Sequence, residues 1–257
     1  MNLQRFIDAK QAELAALRRE MPAPQVGLRP DFLSALMAPP PAAEPLRVIA
    51  EFKRSSPSAG VINDRLLPAD VARQYAAGGA TCMSVLTEET YFTGHVRDLS
   101  AAATAGIPLL RKDFIFDELQ VRQTFATPAS AMLLIVALTP DVARLRALRE
   151  LAETQGIHAV VEVFTERELE MARESGARII QVNARNLETF KTDRVEGLKL
   201  AAHRLPQECW IAASAMQTRA HLDDAAAAGY NAALIGTALM TGNSPLANLT
   251  HILHPER

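Results

Sequence analysis

The chain has 257 residues, 49% of them hydrophobic and 22% charged, with a net charge of −2 and a pI near 6.3. That is enough apolar material for a full core, and the absence of a basic excess excludes the usual footprint of a nucleic-acid binder. No window reaches the roughly 20 apolar residues of a membrane span, and the opening MNLQRFIDAKQAEL has no signal-peptide core, so a cytoplasmic protein is expected.

Residues 2–20 read as one amphipathic helix, with Leu3, Phe6, Ile7, Leu14 and Leu17 on one face and Pro22 and Pro24 stopping it. A second short helix is expected from Pro30-Asp31 through Phe32, Leu33 and Leu36, with the proline in its first turn. APPPAAEP, residues 38–45, cannot be helix interior and separates this N-terminal extension (1–45) from the main body (46–257).

From Leu46 a rhythm sets in. Short β-rich runs occur at 46–52, 82–87, 107–112, 131–136, 158–163, 178–183, 209–214 and 231–236. Helical stretches alternate with them at 68–78, 96–105, 117–126, 140–154, 165–175, 195–204, 217–228 and 244–253. Strands alternating with helices predict βαβ units on a parallel sheet. Eight such units suit a closed (β/α)8 TIM barrel of the α/β class, which typically needs roughly 250 residues. The absence of GxGxxG after the first strand weighs against a dinucleotide-binding sheet. One domain over 1–257 is expected.

Barrel enzymes place their chemistry at the C-terminal strand ends. Here strand one ends in Glu51 and Lys53, strand three in Arg111 and Lys112, strand five in Glu162, and strand six in Asn183, followed by Arg185 and Asn186. Side chains alternate along a strand, so Ile49, Glu51 and Lys53 share a face, as do Val160 with Glu162 and Gln181 with Asn183. If the apolar members lie inside the barrel, the charged ones line its mouth. Strands seven and eight run into SAMQT and GTALM, where free N–H groups at a helix start and the small residues Ser214, Ala215, Gly236 and Thr237 suit a phosphate. The two cysteines, Cys82 and Cys209, stand in apolar runs without metal-type spacing and are expected to be buried thiols.

The stretches IAEFKRSSPSAG, SVLTEETYFTG, PLLRKDFIFD, LLIVALT, VVEVFTERELE, VNARNLETF and LIGTALM, in this order and behind a helical extension, resemble the indole-3-glycerol phosphate synthase family. The resemblance spans nearly the whole chain. It implies a lyase of tryptophan biosynthesis, acting on 1-(2-carboxyphenylamino)-1-deoxyribulose 5-phosphate with loss of carbon dioxide and water. It implies no metal or organic cofactor. The expected partner is a small phosphorylated substrate, with neither nucleic acid nor membrane, and no motif speaks to oligomeric state.

By position, Lys112 matches the family's general acid and Glu162 its usual base. Lys53 matches a lysine that meets the substrate's anionic groups, and the division of acid work between the two lysines stays open. Glu51 and Asn183 match residues that hold substrate hydroxyls and order the lysines, and Arg185 matches an arginine at the rim. Ser56 lies in a Ser/Pro/Gly loop expected to form a mobile cover. Phe92, Phe114 and Leu133 match positions lining the aryl pocket. The chain departs from the family at strand seven, where a usual Ser-Glu-Ser-Gly reads Ala212-Ala213-Ser214-Ala215. Gln181 stands where a glycine is usual. These losses favour a second reading, a slow or non-catalytic paralogue that still binds a phosphorylated ligand. The phosphoribosyl-anthranilate isomerase of the same pathway usually relies on a Cys/Asp pair at strand ends, and strand one here offers Glu51 instead.

Overall fold

A computed structural model describes residues 3–25, 27–184 and 193–256. Eight parallel strands close into a barrel in simple chain order. They are β1 (Arg47–Phe52), β2 (Cys82–Leu86), β3 (Leu109–Lys112), β4 (Ala131–Ile135), β5 (His158–Val163), β6 (Ile179–Asn183), β7 (Cys209–Ala213) and β8 (Ala232–Ile235). The ring closes where β1 pairs with β8, Arg47 opposite Ala232 through Ala50 opposite Ile235. Each strand falls on one of the eight apolar runs.

The helices among the described residues are α1 (Gln4–Ala9), α2 (Gln11–Arg19), α3 (Phe32–Met37), α4 (Pro68–Ala77), α5 (Glu89–Phe92), α6 (Arg97–Ala102), α7 (Glu118–Phe125), α8 (Val142–Glu153), α9 (Glu166–Glu174), α10 (Arg194–Leu200), α11 (Arg219–Ala227), α12 (Thr237–Met240) and α13 (Pro245–Leu253). Local sequence explains their starts. Asp117 and Gln120 form a capping box on α7, and Thr165 caps α9 through the Glu168 N–H.

Burial follows the period-two alternation of the strands. Val48, Ala50 and Phe52 face outward into the helix layer, while Ile49, Leu110, Val160 and Ile211 fill the lumen. Both faces of the sheet are therefore apolar below the mouth, as a parallel barrel requires.

The N-terminal extension differs from the expectation in two details. The helix expected over 2–20 breaks at Lys10, whose side chain is buried rather than solvated, giving α1 and α2. Pro30 does not sit in the first turn of α3. It precedes Asp31, whose carboxylate caps the helix by accepting from the Ser34 N–H at 2.8 Å. The extension serves both ends of the barrel. Phe32 and Leu36 of α3 pack with Cys82, Cys209 and Ala232 at the N-terminal strand ends. At the other end Phe6 of α1 stacks on Phe114, ring centroids 4.1 Å apart.

Candidate active site

Two residues above the apolar layer of Ile49, Leu110, Val160 and Ile211 the lumen changes character. The same four strands there present Glu51, Lys112, Glu162 and Ala213, and all four line one open pocket at the barrel mouth. Alternation that buries aliphatic groups lower down thus aims charged groups at a common space.

Glu51 is almost wholly buried and pairs with Lys53, its Oε1 3.0 Å from Nζ. Ser84 of β2 donates to its other oxygen at 3.4 Å. Burial pushes the Glu51 carboxyl up, but Lys53 and Lys112 outweigh it, and the group sits below the usual glutamate range. Tyr75 donates its hydroxyl to the Glu51 carbonyl at 3.1 Å and fixes the strand end. Gly236, at the end of β8, is required by this pair. A Cβ there would collide with Glu51 Oε1 and come within 3.0 Å of Lys53 Nζ. Lys53 therefore stands beside the turn that leads into α12.

Across the mouth Glu162, also buried, takes its hydrogen bond from Gln181 Nε2 on the neighbouring strand β6. Each carboxylate of this layer is seated on a polar group from the strand alongside, Ser84 under Glu51 and Gln181 under Glu162. Asn183 accepts from Ser214 Oγ at 2.7 Å, linking β6 to the turn after β7. In that turn Ser214 has φ 68° and Ala215 φ 58°, two consecutive left-handed residues with a Cβ. Ala215, where the family usually has glycine, thus holds a conformation that glycine adopts without steric cost.

One wall is apolar. Phe92 and Phe114 lie with ring centroids 6.1 Å apart, and Leu133 joins them from β4. Phe92 is held by local chemistry: the Glu88 carboxylate accepts from the N–H groups of Thr90, Tyr91 and Phe92, winding the single turn α5. Leu86 and Ile135 complete the wall; plain aliphatic residues at strand ends gave no signal in the sequence.

Ser56, expected in a mobile cover, lies in a small hairpin of Ser55–Ser56 against Gly60–Val61. The hairpin base is anchored. Arg54 pairs with Asp98 at 2.5 and 3.1 Å, and Ser55 Oγ meets Thr93 Oγ1 at 2.9 Å. Its tip, Pro57 to Gly60, is exposed. Ser56 Oγ accepts from the Ala59 N–H at 3.1 Å and lines the pocket.

The pocket brings together Glu51, Lys53, Ser56, Phe92, Lys112, Phe114, Leu133, Glu162, Asn183, Ser214, Ala215, Gly236 and Thr237. Arg185 and Asn186 lie outside the described residues. Arg111, noted at the end of strand three, does not reach the mouth. It points outward, fully buried, and donates to the Gln120 carbonyl at 3.0 Å, Thr124 Oγ1 at 2.9 Å and Gln123 Oε1 at 2.7 Å. Alternation demands this, since its neighbour Lys112 points in. Asp113, which lines the pocket's edge, was not anticipated; it is held by Lys10, Arg111 and Thr87.

Comparison with known proteins agrees with the barrel fold. Among solved structures, a 4-hydroxy-2-oxoglutarate aldolase/2-deydro-3-deoxyphosphogluconate aldolase is similar at TM-score 0.60 and 16% identity, covering 88% of this chain and 98% of that one. A thiamine phosphate pyrophosphorylase from Pyrococcus furiosus is similar at TM-score 0.58 and 14% identity, covering 82% and 96%. At such identities they speak for the barrel fold alone. In sequence, the chain is 38% identical to an indole-3-glycerol phosphate synthase of Burkholderia vietnamiensis over 97% of this chain and 98% of that protein. It is 40% identical to one of Lacticaseibacillus casei over 91% of this chain and 88% of that protein. The family model for indole-3-glycerol phosphate synthase matches residues 3–252, and with relatives this similar over nearly their full lengths the chain belongs to that family.

Proposed function

We propose that the protein is an indole-3-glycerol phosphate synthase, a carbon–carbon lyase that converts 1-(2-carboxyphenylamino)-1-deoxyribulose 5-phosphate to indole-3-glycerol phosphate, carbon dioxide and water. The observation that carries the reading is one mouth where Lys53, Lys112 and the buried carboxylates Glu51 and Glu162 meet an aromatic wall, in a chain of this family. The substrate has matching parts: an aryl ring, a carboxylate, a ketone flanked by hydroxyls, and a phosphate.

Ring closure joins the aromatic carbon bearing the carboxylate to the ketone carbon. The ketone oxygen then takes a proton, and Lys112 is the donor, facing the lumen from the end of β3. Carbon dioxide leaves next, its bonding pair restoring the ring. Finally the new hydroxyl departs as water with a second proton while a proton is removed from the former methylene carbon. Glu162 is the base for that removal. Two protons enter and one leaves, which balances the loss of a carboxylate as neutral carbon dioxide. Positioned acids and bases of this kind contribute about 10²–10⁴-fold each.

Lys53, 3.0 Å from Glu51 and beside Gly236, is placed for the substrate's anionic groups. Ser214, Ala215, Gly236 and Thr237 form the phosphate turns, and Asn183 holds a hydroxyl. Phe92, Phe114 and Leu133 take the aryl ring, and Ser56 meets the substrate from the covering hairpin. The N-terminal extension is read as one folding unit with the barrel, a reading supported by the stacking of Phe6 on Phe114 and the pairing of Lys10 with Asp113. A cytoplasmic setting fits two buried free thiols; burial pushes the Cys209 thiol up to about 12. No described helix is long and apolar enough to cross a membrane.

Turnover of the substrate, followed by the fluorescence of the indole product, tests the reading. A second reading, a slow paralogue that binds the ligand, is favoured by Ala213, which leaves the fourth place of the charged layer without a functional group. Ligand binding without indole emission would select it.

A further inference from the structure

Gln181 is a wholly buried amide in the barrel lumen, level with Glu162 on the adjoining strand. Its Nε2 donates to Glu162 Oε2, yet its Oε1 has no hydrogen-bond partner among the described residues. The neighbouring lumen positions are aliphatic: Val160 two residues below Glu162, and Ile211 in register with Gln181. An orphaned carbonyl in such surroundings costs about 1–3 kcal/mol, and a methionine of the same length would avoid it. The two carboxylates of the layer also differ. Glu51 is neutralised by Lys53, whereas Glu162 makes no ion pair among the described residues and rests on a neutral group.

A primary amide is one of the few neutral groups that can serve a carboxyl in both of its protonation states. Its N–H₂ donates to the carboxylate. Turned half a revolution about its last side-chain bond, it presents its carbonyl oxygen to the O–H of the acid.

We propose that Gln181 is a positioning residue for Glu162, an amide switch that holds the carboxyl in one place before and after it takes a proton from the substrate. The orphaned oxygen is then the half of the switch that is idle while Glu162 is ionised. No covalent bond changes at Gln181; the proton moves from the substrate carbon to Glu162 and on to solvent. The inference rests on Glu162 being the base, and the experiment separates the two.

The test is steady-state kinetics of the full chain with Gln181→Met and, in parallel, Glu162→Gln. Expected for Gln181→Met is a fall in kcat on the order of 10- to 100-fold, a part of what a positioned base supplies, with KM within about threefold of the parent. Its thermal midpoint is expected to be unchanged or higher, because an orphaned polar atom has gone; a purely structural glutamine would lower it. Gln181→Gly, the residue usual there in the family, gives the same kinetic reading should the methionine variant fold poorly. Full kcat in both Gln181 variants, with Glu162→Gln inactive, overturns the switch and leaves the base. A loss confined to KM also overturns it. Full kcat in Glu162→Gln removes the base reading, and the switch with it.

Discussion

Lys10 Nζ lies 2.6 Å from Asp113 Oδ1, so the joint between the first two helices is bonded to the residue next to Lys112. The pair is closed off from water and shared with Glu13, Arg111 and Thr87. An uncompensated buried charge costs about 3–5 kcal/mol, but without Lys10 the Asp113 carboxylate keeps Arg111 and Thr87. Lys10→Met is therefore expected to lower the unfolding free energy in urea by a part of that amount. It should also reduce kcat, since the backbone carrying Lys112 loses its anchor.

The same cluster sets a pH window. Burial pushes the Asp113 carboxyl up, but Lys10 and Arg111 pull it further down, to well below the aspartate range. A depressed folded-state value adds stability above about pH 4 that is lost as the pH falls through the folded value. Burial lowers Lys10, but Asp113 and Glu13 raise it more, leaving it above the ordinary 10.5. Its contribution is complete below that value and is lost as the pH rises through the folded one. Urea unfolding across pH should give a plateau between these limits. Asp113→Asn should lower the plateau and remove its share of the acid slope.

Lys112→Ala is expected to abolish indole formation while circular dichroism and the thermal midpoint stay near those of the parent. Lys112 is half-buried and lines the open pocket rather than the apolar core. A variant that kept most of its turnover would assign the acid step to Lys53.

Gly236→Ala tests the crowding at the barrel seam. Its Cβ would displace the Glu51–Lys53 pair, and a shift of about 1 Å in such a site can cost 10²-fold. A fall in kcat/KM of that order is expected, with a smaller change in stability.

Ala215→Gly relieves the left-handed turn after β7. A residue with a Cβ is disfavoured there by roughly 1–2 kcal/mol, partly offset by the looser unfolded chain. A gain of about 0.5–1 kcal/mol in urea unfolding is expected, with a lower KM if the freed backbone N–H approaches the phosphate more closely.

The strands and the charged mouth were legible because period two converts sequence directly into a face: Ile49, Glu51 and Lys53 had to point one way. The same rule turns Arg111 outward. Lys10 was not legible. On a helical wheel it looks like a solvated lysine, and only a partner more than a hundred positions away makes it a buried one. Leu86 and Ile135 were invisible for the opposite reason, since an aliphatic residue at a strand end reads the same in a core as in a ligand wall. The Ser55–Val61 hairpin read as loose cover because its anchor, Arg54 to Asp98, joins distant segments.

The seam between β1 and β8 also bears on how the protein is made. Glu51 and Lys53 emerge from the ribosome early, but the Gly236 turn that leaves room for them comes from the last strand. At roughly 5–20 residues per second, translation delivers that strand many seconds later. A nascent chain stalled short of Gly236 carries both lysines and both carboxylates with no closed rim to aim them. Substrate affinity should thus switch on in one step, once the Gly236 turn docks beside Glu51 and Lys53, and would serve as a clock for barrel closure.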